Sequence, residues 1–326
     1  LFRFKDLIRV LELEEFKSKR LLMLQKEFTL EKNTVSGALN ELGKKTEAFD
    51  SRLNMLVWPI LNYFLLWDIR QSIRLEHWKA KYASLTETVF NSIAEMEMLV
   101  SLSTFLYNRD DVIFPELLEN EFGLEGKLVG HPLMSQESRV DNDISFGHKG
   151  LFCIITGANM AGKSTYLRTV GVNLILALIG APVCAQYFKT SIFKPFTSIK
   201  TTDSLSDNES YFYAELLRLQ RIIEALQSGE NHFIILDEIL KGTNSNDKEQ
   251  GSRALLEKLI ALNAVGIIAT HDLELAKMIN RFPENIKNAC FEVELSEGNL
   301  TFDYTLRDGV SQNLNATFLM KRMGIS

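Results

Sequence analysis

The residues most suited to chemistry form a glycine-rich stretch, residues 157–164, with the spacing GxxxxGKS. An apolar run precedes it and a helical pattern follows it, the setting that a phosphate-binding loop requires. Its glycines let the backbone turn so that N–H groups point at phosphates, beside the positive end of the following helix dipole. We expect Lys163 to reach the β- and γ-phosphates and the Ser164 hydroxyl to bind Mg²⁺. The predicted ATP-binding residues are Gly157, Asn159, Met160, Ala161, Gly162, Lys163, Ser164 and Thr165.

Polar residues with catalytic potential also follow two other apolar runs. Residues 233–236 lead into Asp237 and Glu238, where Asp237 is predicted to hold Mg²⁺, directly or through water. Glu238 is placed to polarise the attacking water as a general base. His271 follows the apolar run 265–269 and is predicted either to sense the γ-phosphate or to position water. The predicted catalytic residues are Glu238, His271 and Lys163, and the predicted metal ligands are Ser164 and Asp237.

The elements that must position these groups are short buried strands. Residues 151–156, 233–236 and 265–269 are continuous apolar runs, and each leads into polar residues and a helical pattern. Strands that alternate with helices indicate a parallel sheet covered on both faces. Ligands of such sheets bind at the carboxyl ends of the strands. The sequence therefore predicts an α/β fold with its chemistry just after Ile155, Leu236 and Ala269.

The first hundred residues follow a different pattern. Apolar residues recur there at three- and four-residue steps, with little Gly and a single Pro, as in a bundle of amphipathic helices. We predict three long helices, over residues 4–28, 34–70 and 72–106, the second kinked at Pro59. Residues 55–67 are the most apolar stretch but are shorter than the roughly 20 residues of a membrane-crossing helix. They are predicted to form a buried helix.

Composition is that of an ordinary globular protein. The 326 residues carry a formal net charge of −6, which argues against a surface coated with positive charge for nucleic acid. Cys153, Cys184 and Cys290 show no disulfide or metal-ligand spacing and indicate reduced thiols in a cytoplasmic setting. Direct membrane contact by this chain is not expected. An anchor in sequence upstream of Leu1 stays open.

Three segments together resemble the MutS family. Residues 156–168 resemble its Walker A segment, with an Asn-Met pair and a trailing Ser-Thr-Tyr. Residues 236–244 resemble its Asp-Glu-Ile-x-x-Gly-Thr segment, and residues 270–275 its Thr-His-x-x-Glu-Leu segment. The resemblance covers roughly residues 130–325, and is weaker toward the helical core before them.

The resemblance implies the domain organisation and a partner. It implies a P-loop ABC-like ATPase domain with a mainly parallel sheet at residues 109–326, preceded by an all-α core or lever domain at residues 1–108. It also implies a composite site formed by two ATPase domains, hence a homodimer. In the family, a Ser between the P-loop and Walker B reaches the partner's γ-phosphate, and residues 203–215 are similar to that segment. This places Ser210 in the trans role, although a Ser there also suits the N-cap of a helix over residues 211–225.

Some positions depart from the family pattern. Ala158 and Ala161 stand where mismatch-repair members often have Pro and Gly, but the GxxxxGKS frame is intact. Arg139 stands where many relatives place an aromatic side chain against adenine, and an Arg can also stack on a flat ring. Lys241 replaces a common Arg. These differences indicate a divergent MutS-like branch, and the family's mismatch-reading domain, which carries a Phe-x-Glu motif, is not expected among these residues.

Two functions are compatible with these observations. The leading hypothesis is a MutS-like ATPase in which ATP drives dimer closure for DNA binding, repair or recombination, with DNA inferred from the resemblance alone. The alternative is a MutS-like ATPase switch that acts on a protein or membrane partner without DNA. A transporter-type ATPase is disfavoured because its Leu-Ser-Gly-Gly signature does not precede residues 233–238.

Overall fold

The computed structural model divides the chain into two compact units, Leu1–Tyr107 and Asn108–Ser326. The residues that the structure describes are 2–29, 34–54, 56, 58–119, 121–158, 160–199, 211–227, 229–240, 244–296 and 299–311.

The first unit is helical. Its helices are α1 (Phe2–Leu13), α2 (Lys19–Lys26), α3 (Val35–Asp50), α4 (Trp58–Leu65) and α5 (Trp67–Tyr107). A short 3₁₀ turn, Ser51–Leu53, follows α3. Ile8, Phe28, Val35 and Ile93 are buried together at its centre, where burying one large apolar side chain contributes about 1.5–3 kcal/mol.

The prediction of three long helices is wrong at its boundaries. The first is interrupted after Leu13, because the Gln25 side chain returns to this turn and donates to the carbonyls of Leu11 (2.9 Å) and Glu14 (2.7 Å). Such carbonyls lack intrahelical partners at a helix end. The second is interrupted after α3, and Pro59 is the second residue of the new helix α4. A proline fits the first turn of a helix, whose N–H groups have no intrahelical acceptor, so Pro59 begins a helix instead of kinking one.

The prediction that residues 55–67 form a buried helix is also wrong. None of the residues of α4 is buried, and Tyr63 and Phe64 are 82% and 74% exposed. The helix is attached to α5 by polar contacts at one edge, where Trp58 Nε1 donates to Asp68 Oδ2 at 2.9 Å. Within the described part of the chain, α5 alone is long and apolar enough to cross a membrane. This length and composition only weakly indicate a membrane span, because core helices of soluble proteins meet the same criterion. Met96 of α5 lies in the core of the helical unit.

The second unit contains two sheets. Its strands are β1 (Glu116–Leu118), β2 (Leu124–Val129), β3 (Asn142–Phe146), β4 (Phe152–Gly157), β5 (Tyr187–Ser191), β6 (Lys194–Ser198), β7 (His232–Asp237), β8 (Val265–Ala269), β9 (Ile286–Ser296) and β10 (Asn299–Asp308). Its helices are α6 (Lys163–Leu178), α7 (Tyr211–Gln227), α8 (Ser245–Ala261) and α9 (Leu273–Ala276). A 3₁₀ turn, Lys277–Asn280, follows α9. The smaller sheet has the order β1-β5-β2-β3, and the larger has the order β10-β9-β4-β8-β7-β6.

The larger sheet is parallel except for the hairpin of β9 and β10, which confirms the predicted α/β fold with a mainly parallel sheet. Residues of β7 alternate between its two faces. Ile235 packs with Leu167 and Val170 of α6, whereas Ile234 packs with Leu256 of α8. Every residue of β4, β7 and β8 is buried, because helices cover both faces.

The register of the sheet sets the position of the polar groups that follow the strands. Ile155 of β4 is opposite Ala269 of β8, and Ala269 is opposite Asp237 of β7. The three strands therefore end side by side, and the chain leaves each of them at the same edge of the sheet.

Candidate nucleotide-binding site

The glycine-rich stretch forms a loop between β4 and α6. Gly157 and Gly162 have φ angles of 143° and 108°, a region that favours glycine, and Met160 also has a positive φ of 69°. A Cβ on Gly157 would lie 2.6 Å from the carbonyl oxygen of Phe291 in β9. The loop can therefore follow this path only with glycine at position 157.

Two side chains at the start of α6 point into the site. Lys163 is 5% exposed, and its Nζ donates to the carbonyls of Gly157 (2.7 Å) and Ala158 (3.0 Å). The Ser164 hydroxyl donates to Asp237 Oδ2 at 2.6 Å. The Lys163 ammonium group and the two predicted metal ligands, Ser164 and Asp237, therefore meet at the carboxyl ends of β4 and β7.

Glu238 and His271 form a close pair beside this loop. The structure places His271 Nε2 2.6 Å from Glu238 Oε1 and 3.5 Å from Lys163 Nζ. Glu238 has a positive φ of 52°, and its N–H donates to the carbonyl of Ala269 at 2.9 Å. The structure thus brings the three predicted catalytic side chains together from the segments that follow three adjacent strands.

The donor groups fit a magnesium ion that is shared with phosphate. Ser164 and Asp237 offer hard oxygen atoms, which Mg²⁺ prefers, and this ion usually takes one or two protein ligands with the rest from phosphate and water. Within the described ranges, no group of three or more His, Cys, Asp or Glu side chains is arranged to hold a metal without such help. A magnesium ion held by Ser164 and Asp237 would take its remaining ligands from phosphate and water.

A cavity of about 430 Å³ opens beside the loop, a size in the range of small-molecule sites. Its lining includes Lys163, Ser164 and Thr165 at the start of α6, together with Glu238 after β7. It also includes residues from outside the loop, most of them apolar or aromatic. These residues are Val129, His131, Met134, Val140 and Tyr304.

Arg139 lines the same cavity, but its side chain is only 3% exposed. It forms ion pairs with Asp111 and with Asp141, the latter at 2.7 Å from Nε. Burial lowers the pKa of Arg139, but the bonds to Asp141 and Asp111 outweigh it and raise the pKa above its ordinary value. The hydrogen bond from Arg109 is the main reason that the pKa of Asp111 is well below its usual range. Asp111 and Asp141 thus hold the guanidinium of Arg139 in place at the wall of the cavity.

Sequence reasoning missed Tyr304 as part of the site. It lies in an irregular part of β10 with a φ of 53°, and its ring would be 3.1 Å from a Cβ on Gly162. The Asn142 side chain donates to the Tyr304 carbonyl at 3.0 Å and accepts from the Leu306 N–H at 2.7 Å. No local spacing signals this contact, since 162 residues separate Asn142 from Tyr304.

Some predicted residues lie outside the described part of the chain. They are Asn159 in the loop, Ser210 with its proposed trans contact, and Lys241. Ala161 is 1% exposed and Met160 is 83% exposed. The roles of Asn159, Met160, Ala161 and Ser210 in ATP binding stay predictions.

The fold and the loop together define the class. A mainly parallel sheet with a phosphate-binding loop after a buried central strand is the architecture of a P-loop ATPase domain of the ABC-like type. Residues 153–318 match the family model described as "MutS domain V". The chain belongs to this family.

Named relatives agree with this assignment. The DNA mismatch repair protein MutS of Thermotoga sp. (strain RQ2) is 31% identical over 250 residues, which cover 75% of this chain and 30% of that protein. The DNA mismatch repair protein MutS of Ehrlichia ruminantium (strain Gardel) is 30% identical over 251 residues, again 75% of this chain and 30% of that protein. The MutS protein homolog 4 of Homo sapiens is 31% identical over 235 residues, 69% of this chain and 24% of that protein. The chain thus spans about a third or less of the length of these relatives.

Proposed function

We propose that this chain binds ATP with Mg²⁺ and hydrolyses it. The observation that carries the proposal is the meeting of Lys163, the Ser164–Asp237 pair and the Glu238–His271 pair at one edge of the sheet. Transfer of a phosphoryl group to water needs a positioned nucleophile and stabilisation of charge on the phosphate oxygens. These side chains supply both.

Each residue has a role that its position supports. Glu238 accepts a proton from the attacking water. His271 lies 2.6 Å from the Glu238 carboxylate and orients that carboxylate and its water. Lys163 and the loop N–H groups bind the phosphate oxygens and stabilise their negative charge. Ser164 and Asp237 hold the metal, which when bound neutralises further charge on the phosphates.

Turnover and binding by the Glu238→Gln variant test this proposal. Gln keeps the size of the side chain but is not a base, so turnover is expected to fall about 100-fold or more while ATP affinity stays unchanged. Undiminished turnover would reject the base role of Glu238. Failure of the unaltered full-length protein to bind ATP would reject the whole proposal.

We further propose that two copies pair through their ATPase domains and that ATP-driven closure acts on DNA, in a cytoplasmic setting. The support is family membership and the names of two relatives, which are DNA mismatch repair proteins. The helical unit would then be the lever that moves with closure. A titration of full-length protein with duplex, branched and mismatched DNA at several salt concentrations tests this, because phosphate contacts weaken as salt rises. If none of these DNAs binds at low salt, the alternative of a protein or membrane partner replaces the DNA role.

A further inference from the structure

Glu215 of α7 makes a contact that the proposed chemistry does not use. Its Oε1 accepts a hydrogen bond of 2.7 Å from the backbone N–H of Leu240. Its Oε2 is buried without a hydrogen-bond partner among the described residues. A side chain that buries a polar oxygen in this way has a cost of burial, so the one bond that it makes is its main contribution.

The bond ends on a strained stretch of backbone. Glu238 and Leu240 both have positive φ angles, 52° and 57°, which cost non-glycine residues about 1–3 kcal/mol each and persist only where the surroundings impose them. The upstream end of the stretch is tied to β8, where Glu238 N–H donates to the carbonyl of Ala269 at 2.9 Å. The downstream end is tied to α7 by Glu215.

Packing further restricts the backbone of residues 238–240. Ile239 and Leu240 are 2% and 5% exposed, and a Cβ on Gly251 of α8 would lie 2.6 Å from Leu240 Cδ1. Glu238 lies two residues before Leu240 in the chain. Rotation of the backbone at Leu240 would therefore displace the Glu238 carboxylate. The Glu215 bond is therefore placed to control where that carboxylate lies relative to His271.

We propose that Glu215 is a positioning residue for Glu238, acting through the N–H of Leu240. This rests on the proposed ATP hydrolysis, for which Glu238 is the base. It also links α7 to the reaction, because any displacement of α7 that breaks the bond releases the strained stretch and misplaces the base.

Three substitutions of Glu215 separate positioning from charge. Glu215→Gln keeps an oxygen at the same reach and removes the charge, so turnover stays within about twofold of the parent. Glu215→Asp keeps the charge but is one methylene too short for the 2.7 Å bond, so turnover falls about tenfold or more, the size expected for loss of a hydrogen bond to a charged group. Turnover of Glu215→Ala is expected to fall as much as that of Glu215→Asp. The matched control is Glu224→Ala on the same helix, where the exposed carboxylate accepts a 2.8 Å hydrogen bond from the Gln220 side chain; it keeps the parental rate.

The readouts on full-length protein are kcat, KM and hydrogen exchange at the Leu240 amide. We expect Asp and Ala at position 215 to lower kcat with KM within about twofold, and to speed exchange at Leu240 without nucleotide. Parental kcat in Glu215→Asp, or a loss in Glu215→Gln equal to that in Glu215→Asp, overturns the proposal.

The exchange measurement keeps the two proposals distinguishable. If the unaltered protein does not hydrolyse ATP, the proposed function fails, whereas faster exchange at Leu240 in Glu215→Ala still establishes the tie. If the protein hydrolyses ATP and Leu240 exchange is unchanged in Glu215→Ala, the positioning role fails alone. If Glu215→Ala does not fold, the contrast between the Gln and Asp variants decides.

Discussion

The hydroxyl of Ser164 donates a 2.6 Å hydrogen bond to Oδ2 of Asp237 and so joins the first turn of α6 to the end of β7. The two residues are 73 positions apart in the chain. They become neighbours because α6 begins directly after the loop that follows β4, and because β4 and β7 flank β8 in the sheet. Both oxygens are then available to one metal ion.

Replacing Ser164 by Ala is expected to weaken the response to Mg²⁺. The variant loses one of the two proposed protein ligands, and the cost of about 1–3 kcal/mol for a lost polar partner corresponds to roughly a 5- to 150-fold higher Mg²⁺ requirement. A titration of ATP turnover with MgCl₂ measures it. Ser245→Ala, at the exposed first residue of α8, is the control and keeps the parental Mg²⁺ response.

Replacing His271 by Ala is expected to lower kcat about tenfold or more while the ratio of ATP to ADP affinity stays unchanged. The reason is the 2.6 Å contact of His271 with Glu238, which favours a role in orienting the base and its water. Nucleotide affinities are measured by equilibrium titration, and kcat by phosphate release. Loss of discrimination between ATP and ADP would instead assign His271 to sensing the γ-phosphate.

Replacing Gly157 by Ala is expected to destabilise the protein by about 2 kcal/mol or more, because a left-handed φ and a backbone clash act together. The new Cβ would meet the Phe291 carbonyl oxygen at 2.6 Å. Urea unfolding at 25 °C measures the change. The control is Gly147→Ala, where a Cβ meets nothing within 4 Å, and an equal loss in both variants would contradict the explanation.

Replacing Asp111 by Asn is expected to destabilise the protein at pH 7 by about 3 kcal/mol, since Arg109 and Arg139 lose a partly buried anion. The pKa of Asp111 is lowered in the folded state, mainly by the hydrogen bond from Arg109. A carboxyl group with a lowered pKa stabilises the fold when it is ionised, above its ordinary pKa of 3.8, and this contribution is lost as the pH falls further.

The gap between the parent and Asp111→Asn is therefore expected to narrow as the pH is lowered from 5 toward 2. Unfolding free energies of both proteins at several pH values measure the gap. The adjacent exposed Asp110, replaced by Asn, is the control and leaves the stability within about 0.5 kcal/mol. A gap that stays constant over this range would show that the ionised carboxylate is not the stabilising species.

The sequence by itself determined the class of the second unit and the content of its phosphate loop. Eight consecutive residues, 157–164, carry the glycines, the lysine and the hydroxyl, so local spacing is sufficient to recognise them. Apolar runs before Gly157, Asp237 and His271 also predicted where the parallel strands end. The family that these segments resemble is confirmed by the match at residues 153–318.

Tertiary structure alone decided what depends on residues far apart in the chain. The break after Leu13 depends on Gln25, the exposure of Tyr63 depends on what α4 packs against, and the contact of Tyr304 with the loop depends on a hairpin in another part of the chain. The tie from Glu215 to Leu240 is of the same kind. Periodicity reports which face of a segment is apolar, but burial and hydrogen-bond partners are set by the neighbours that folding brings to that face.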